Sequence, residues 1–138
     1  MPFDSTAEPA GLALTPAFGA VDARTLDSLD EHALDGLDFG VIGFDGATVV
    51  RRYNAFESRA AGLASARVLG QALFTSVAPC MNNFLVAQRF EDAEARAESL
   101  DATVDYVLTL RMRPVKVKLR LLARPGAALR YVLVQRAV

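Results

Sequence analysis

The chain carries a single thiol, Cys80, placed directly behind Pro79 in the string "SVAPC". One cysteine cannot close an internal disulfide and falls far short of a metal-ligand set. It is therefore a small buried hydrophobe, an attachment point or a nucleophile. A nucleophile needs a nearby base, and the one histidine, His32, lies 48 residues earlier among acids, where it reads as a surface residue rather than a base or a metal ligand. Tyr53 and Glu57 form a second pair of interest. Their spacing of four predicts that both lie on one side of a helical turn, so a phenol and a carboxyl can reach the same acceptor. Each also has a plainer reading, as a strand-end aromatic and a solvated glutamate.

The elements that must position these groups follow from the pattern of the chain. Its 138 residues, 52% hydrophobic and 22% charged, predict one domain with a real core. At that length roughly two thirds of the unfolded surface can be buried, so no disulfide or metal staple is needed. A net charge of −1 offers no basic excess for gripping a phosphate backbone, which argues against nucleic acid as a partner. No apolar run approaches the roughly 18 residues of a membrane span. "MPFDSTAEPAG" does not have the form of a secretory signal, and Pro2 stands where myristoylation requires glycine. With one cysteine suited to a reducing compartment, the expectation is a soluble, cytoplasmic protein.

Residues 1–33 read as a loosely ordered lead-in and a short helix, and residues 34–138 as the main domain. Leu26, Leu29, Leu34 and Leu37 recur near helical spacing, with Gly36 as a stop. Asp45-Gly46 between two apolar runs predicts a hairpin. Residues 55–80 hold short helical segments broken by Gly62 and Gly70, and residues 83–100 form a longer helix capped by Asn82 or Asn83. The last third alternates with period two. Val104, Tyr106, Leu108, Leu110 and Met112 form one strand. Val115, Val117, Leu119 and Leu121 form the next, with Lys116, Lys118 and Arg120 on its solvated face; "LRYVLVQR" is the last. The expected fold is α+β, a five-stranded antiparallel sheet with helices packed on one face.

The order β-β-α-α-α-β-β-β is that of a PAS domain, and the strings "LDGLDFGVI", "YNAFE", "SVAPC" and "RMRPVKVK" resemble the photoactive yellow protein family. The specific feature is a "YNAxE" motif whose tyrosine is followed 27 residues later by the cysteine of "VAPC". The resemblance implies a blue-light photoreceptor carrying p-coumaric acid as a thioester on Cys80. Tyr53 and a protonated Glu57 would donate hydrogen bonds to its buried phenolate. Ile42, Ala61, Leu63, Val77, Ala78, Leu108, Leu110 and Met112 would line the pocket, with Met112 assisting thermal return. It further implies trans–cis isomerisation, proton transfer from Glu57, and no enzymatic turnover. The resulting carboxylate in an apolar site would loosen the fold.

Three positions depart from the family pattern. Ala61 replaces a threonine, Leu63 a capping arginine and Leu110 an aromatic, which implies an altered absorption maximum and recovery rate. The signal would pass to a downstream protein through a weakly packed lead-in, from a monomer or weak dimer. Two other readings stay open: a PAS module for non-covalent ligand binding or dimerisation, and a thiol enzyme using Cys80.

Overall fold

Consecutive apolar residues in the central strands force both faces of the sheet to be covered. The computed structural model describes residues 16–109 and 113–136. Its five strands are β1 (Gly40–Phe44), β2 (Val50–Tyr53), β3 (Leu100–Leu108), β4 (Val115–Ala123) and β5 (Arg130–Arg136). They form one antiparallel sheet in the order β2-β1-β5-β4-β3. All of β1 is buried, as are Leu119 to Ala123 of β4 and Tyr131 to Val134 of β5. A strand exposed on one face alternates; a strand buried on both does not.

On one face lie Ile42, Phe44, Tyr53, Val117, Leu119, Leu121, Val132 and Val134. They are covered by the helical stretch between β2 and β3. This comprises α3 (Ala55–Ala61), α4 (Ser65–Val68), a π-helical turn (Leu73–Val77), a 3-10 turn (Pro79–Met81) and α5 (Ala87–Ala95). Phe44 anchors this side, edge-on to Phe74 at 5.5 Å and to Phe90 at 4.9 Å between ring centroids.

The opposite face presents Val41, Leu122, Tyr131 and Leu133, covered by Phe18, Val21, Leu26, Leu34 and Leu37. The expected layer of helices on one face is present, and the segment before β1 covers the other. That segment holds α1 (Ala23–Ser28) and α2 (Glu31–Asp35), capped by Asp22 and Asp30, so the single helix expected here is two short ones. Of the lead-in expected to pack weakly, residues 1–15 lie outside the described residues, and residues 16–33 are firmly packed, with Val21 and Leu26 buried.

Two arginines reach through this face to hold the segment down. Arg52 of β2 donates to the carbonyls of Leu26 (2.7 Å) and Leu29, to Glu31 (2.8 Å) and to the Tyr131 hydroxyl (3.1 Å). Arg120 of β4 donates to the carbonyls of Phe18 (2.9 Å) and Val21 and to both oxygens of Asp101. Arg120 is buried, not on a solvated strand face as its alternation with Lys116 and Lys118 suggested.

The remaining adjustments are local. The helix expected over 83–100 begins at Ala87, because Asn83 caps the preceding turn, accepting from the amides of Leu85 (3.0 Å) and Val86 (3.2 Å). The strand expected from 103 starts three residues earlier, at Leu100.

Candidate functional site

Asn54 sets the geometry of the site. It ends β2, caps α3 and is fully buried. Its side-chain oxygen accepts from the amides of Glu57 (3.1 Å) and Val41 (2.9 Å), and its amide nitrogen donates to the carbonyls of Leu34 and Phe39 at 3.0 Å each. Tyr53 is thus the last residue of a strand and Glu57 sits in the first turn of a helix. Tyr53 and Glu57 do not share a helical turn, as their spacing had suggested; the Asn54 cap folds the chain between them. They are close all the same. Burial pushes the Tyr53 phenol well above its ordinary value, the neighbouring Glu57 charge pushes it the same way, and the Arg136 charge opposes both. Tyr53 therefore stays a hydrogen-bond donor across the neutral range.

Glu57 is 2% exposed. Gly40 of β1 makes room for it: a Cβ on that residue would stand 2.0 Å from Glu57 Oε1. The carboxyl is not alone in an apolar site. Both oxygens accept from the Arg136 guanidinium at the end of β5, Oε1 at 2.7 Å and Oε2 at 3.1 Å. This is a two-pronged ion pair, and sequence reasoning missed it. The only hint was position: Arg136 stands two residues beyond Val134, and therefore on the same sheet face as Val134 and Ile42.

Cys80 is free and partly exposed, on the 3-10 turn that follows Ala78. It packs against the same apolar cluster that contains Tyr53. Its turn is fastened to the sheet through Tyr106 of β3, whose hydroxyl donates to the Cys80 carbonyl and accepts from Asn83 Nδ2 (2.5 Å); Asn83 also donates to the Cys80 carbonyl at 3.2 Å. Tyr106 was legible as a strand residue, though not as the anchor of the cysteine. A tyrosine on an inward-facing row usually finds a partner for its hydroxyl, and that was the available signal.

Of the expected pocket residues, Ile42, Ala78 and Leu108 are buried in this cluster, and Leu63 and Val77 pack against it partly exposed. Ala61 is buried on α3, outside the cluster. Leu110 and Met112 lie outside the described residues. His32 is exposed, and no group of three or more potential metal ligands occurs among the described residues.

Comparison with known proteins gives this arrangement a family. The photoactive yellow protein of Halochromatium salexigens is 32% identical to this chain over 105 residues, which cover 75% of the chain and 83% of that protein. The chain belongs to the photoactive yellow protein family. The photoactive yellow protein of Rhodothalassium salexigens is 30% identical over the same shares of both proteins. The photoactive yellow protein domain of the sensor histidine kinase Ppr from Rhodospirillum centenum matches with a TM-score of 0.74 at 35% identity, over 82% of this chain and 98% of that domain.

The PAS domain of an HTR-like protein from Haloarcula marismortui, at 13% identity and a TM-score of 0.58, shares the fold. No protein-family model matches the chain. Photoactive yellow proteins are PAS-fold photoreceptors, and this chain has the α+β sheet and helical layer of that fold. No helix among the described residues is long and apolar enough to cross a membrane.

Proposed function

We propose that the protein is a blue-light photoreceptor holding p-coumaric acid as a thioester on Cys80. The observation that carries the reading is that Cys80 borders the cluster containing Tyr53, with Glu57 buried beside that tyrosine, in a chain of this family. The donor set suits a buried phenolate, which costs several kcal/mol unless hydrogen-bonded. Tyr53 offers a phenol that burial keeps protonated. Glu57 sits in a space that only a glycine at position 40 leaves open.

When bound, the pigment would supply a double bond that light drives from trans to cis. The chain does the rest. Cys80 Sγ holds the acyl group, and Asn83 and Tyr106 fix the turn that carries it. Ile42, Ala78 and Leu108 exclude water, with Leu63 and Val77 at the margin. Tyr53 donates its hydroxyl proton as a hydrogen bond. Glu57 gives up the proton on one carboxyl oxygen when the geometry at the phenolate is disturbed, and takes it back in the dark. No substrate is consumed. The reading further includes a cytoplasmic setting, a monomer or weak dimer, and a downstream protein as partner.

The test is chromophore reconstitution with an activated p-coumaroyl donor. Intact mass should show one coumaroyl group on Cys80, and a visible band should bleach under blue light and recover in darkness. Cys80→Ala should remain colourless. A folded wild-type protein that takes up no coumaroyl group ends the proposal.

A further inference from the structure

The proposed chemistry gives no role to Arg136, yet this residue makes the most directional contact in the site. Its two terminal nitrogens engage both oxygens of Glu57. A guanidinium is charged at every accessible pH and has no acceptor, so it bonds both oxygens of a carboxyl fully only when neither carries a proton. The pair seen here is therefore the ionised state of Glu57. That is also the state Glu57 reaches after passing its proton on.

The pair is enclosed on the carboxylate side and open on the other. The Glu57 side chain is 2% exposed and that of Arg136 18%. Behind the strand that carries Arg136, a hollow of about 180 Å3 is bordered by Asp105, Lys116, Lys118 and Gln135, which alternation places on the opposite sheet face. Asp105 is exposed and already pairs with Lys118 at 2.6 Å. The charged and titratable groups nearest the pair are thus Tyr53 on the same face, and Asp105, Lys116 and Lys118 across the sheet. None of these can replace Arg136 at the buried carboxylate.

We propose that Arg136 is the receiver of the Glu57 carboxylate, paired with it whenever Glu57 is ionised and withdrawn when Glu57 is protonated and bonded to the phenolate. This rests on the photoreceptor reading above. Its consequence is that the lit state does not hold a bare buried charge. The O–H bond of Glu57 breaks, the proton passes to the phenolate oxygen, and the carboxylate left behind is met by a positioned cation. Arg136 is then a positioning residue that prolongs the lit state.

Two measurements test it. In chromophore-free protein, a urea-unfolding double-mutant cycle of Glu57→Gln and Arg136→Gln should show coupling: Arg136→Gln lowers the midpoint in the wild-type background and barely in the Glu57→Gln background. Equal shifts in both backgrounds overturn the pairing.

In reconstituted protein, Arg136→Gln should speed dark recovery roughly tenfold or more, because loss of one partner destabilises a buried pair. Arg136→Lys, which keeps the charge without the fork, should fall between the two and covers the case of a poorly folded glutamine variant. The light-minus-dark infrared spectrum should show a guanidinium band shift that Arg136→Gln abolishes. A photoactive wild type whose recovery changes less than twofold in Arg136→Gln removes the role alone. A wild type that acquires no pigment removes the photoreceptor reading and this role with it.

Discussion

Replacing Gly40 with alanine sets two effects of opposite sign against each other. Gly40 lies in ordinary strand backbone, so alanine should gain about 0.5–1 kcal/mol from the smaller entropy lost on folding. Against this, the new methyl would stand 2.0 Å from Glu57 Oε1, 3.0 Å from Cδ and 3.2 Å from Cβ. The oxygen would have to retreat by about 1 Å to restore a tolerable contact, and the crowding at Cδ and Cβ blocks relief by rotating the carboxylate alone. Lengthening the 2.7 Å bond to Arg136 by that amount takes it past hydrogen-bonding range.

Breaking a buried pair costs about 3–5 kcal/mol. The net expectation is a loss of about 2–4 kcal/mol, or roughly 10 °C in the thermal midpoint of a domain this size. Urea and thermal unfolding of chromophore-free Gly40→Ala measure it. Glu57→Ala in the same chain removes the obstacle and should turn the alanine neutral or stabilising. A single Gly40→Ala variant as stable as wild type would refute the reasoning, because it would mean that Glu57 does not occupy that space.

Asn54→Ala removes a fully buried side chain with four hydrogen bonds and should cost about 3–5 kcal/mol, read from the urea midpoint; a loss under 1 kcal/mol contradicts the capping argument. Arg52→Met should loosen α1 and α2 before the sheet, seen as amide exchange that accelerates at Ala23–Ser28 and Glu31–Asp35 and much less in β5. Uniform acceleration across both would contradict its role as a fastener.

Alkaline unfolding follows from Tyr131. Burial, together with its hydrogen bond to Asp27, pushes its phenol up to about 12, while Arg52 opposes the shift. The folded-state value is raised, so the stability it contributes is fully present below pH 10 and disappears as pH rises through about 12. The amount is about 2–3 kcal/mol, and Tyr131→Phe should flatten that part of the pH profile.

What was legible in the chain is what local periodicity encodes. The hairpin at Asp45-Gly46 and the paired strands of the last third each announce themselves within a few residues. The second covered face was less visible, although "RLLA" and "YVLV" are runs that a half-exposed strand would not carry. Arg120 misled because a basic residue in an alternating strand usually faces water. Here its guanidinium satisfies the carbonyls of Phe18 and Val21, about one hundred residues away in sequence. Cys80, Tyr53 and Glu57 stand out as candidates because the strings that contain them are specific. The partners that hold them do not. Arg136 meets Glu57 across 79 residues and Tyr106 meets Cys80 across 26, and neither contact leaves a local pattern.

Ala61 and Leu63 contribute nothing to charge balance around Glu57. Neither side chain offers a hydroxyl or a cation. With a neutral Tyr53, the ionised Glu57 and Arg136 sum to zero before any pigment is attached. Adding a phenolate to that set leaves one buried negative charge in excess, which a low-dielectric site disfavours strongly. The cheapest remedy is protonation of Glu57, and the proton is at hand, because the phenol must lose one to become a phenolate. Attachment should therefore move a proton from the phenol to Glu57 with no net exchange with solvent. Infrared difference spectra of reconstituted against chromophore-free protein should then gain a carboxylic acid C=O band, missing in Glu57→Gln. A phenolate-coloured protein lacking that band would mean that Glu57 stays ionised beside the pigment, and Arg136 would then be a static counter-ion to both.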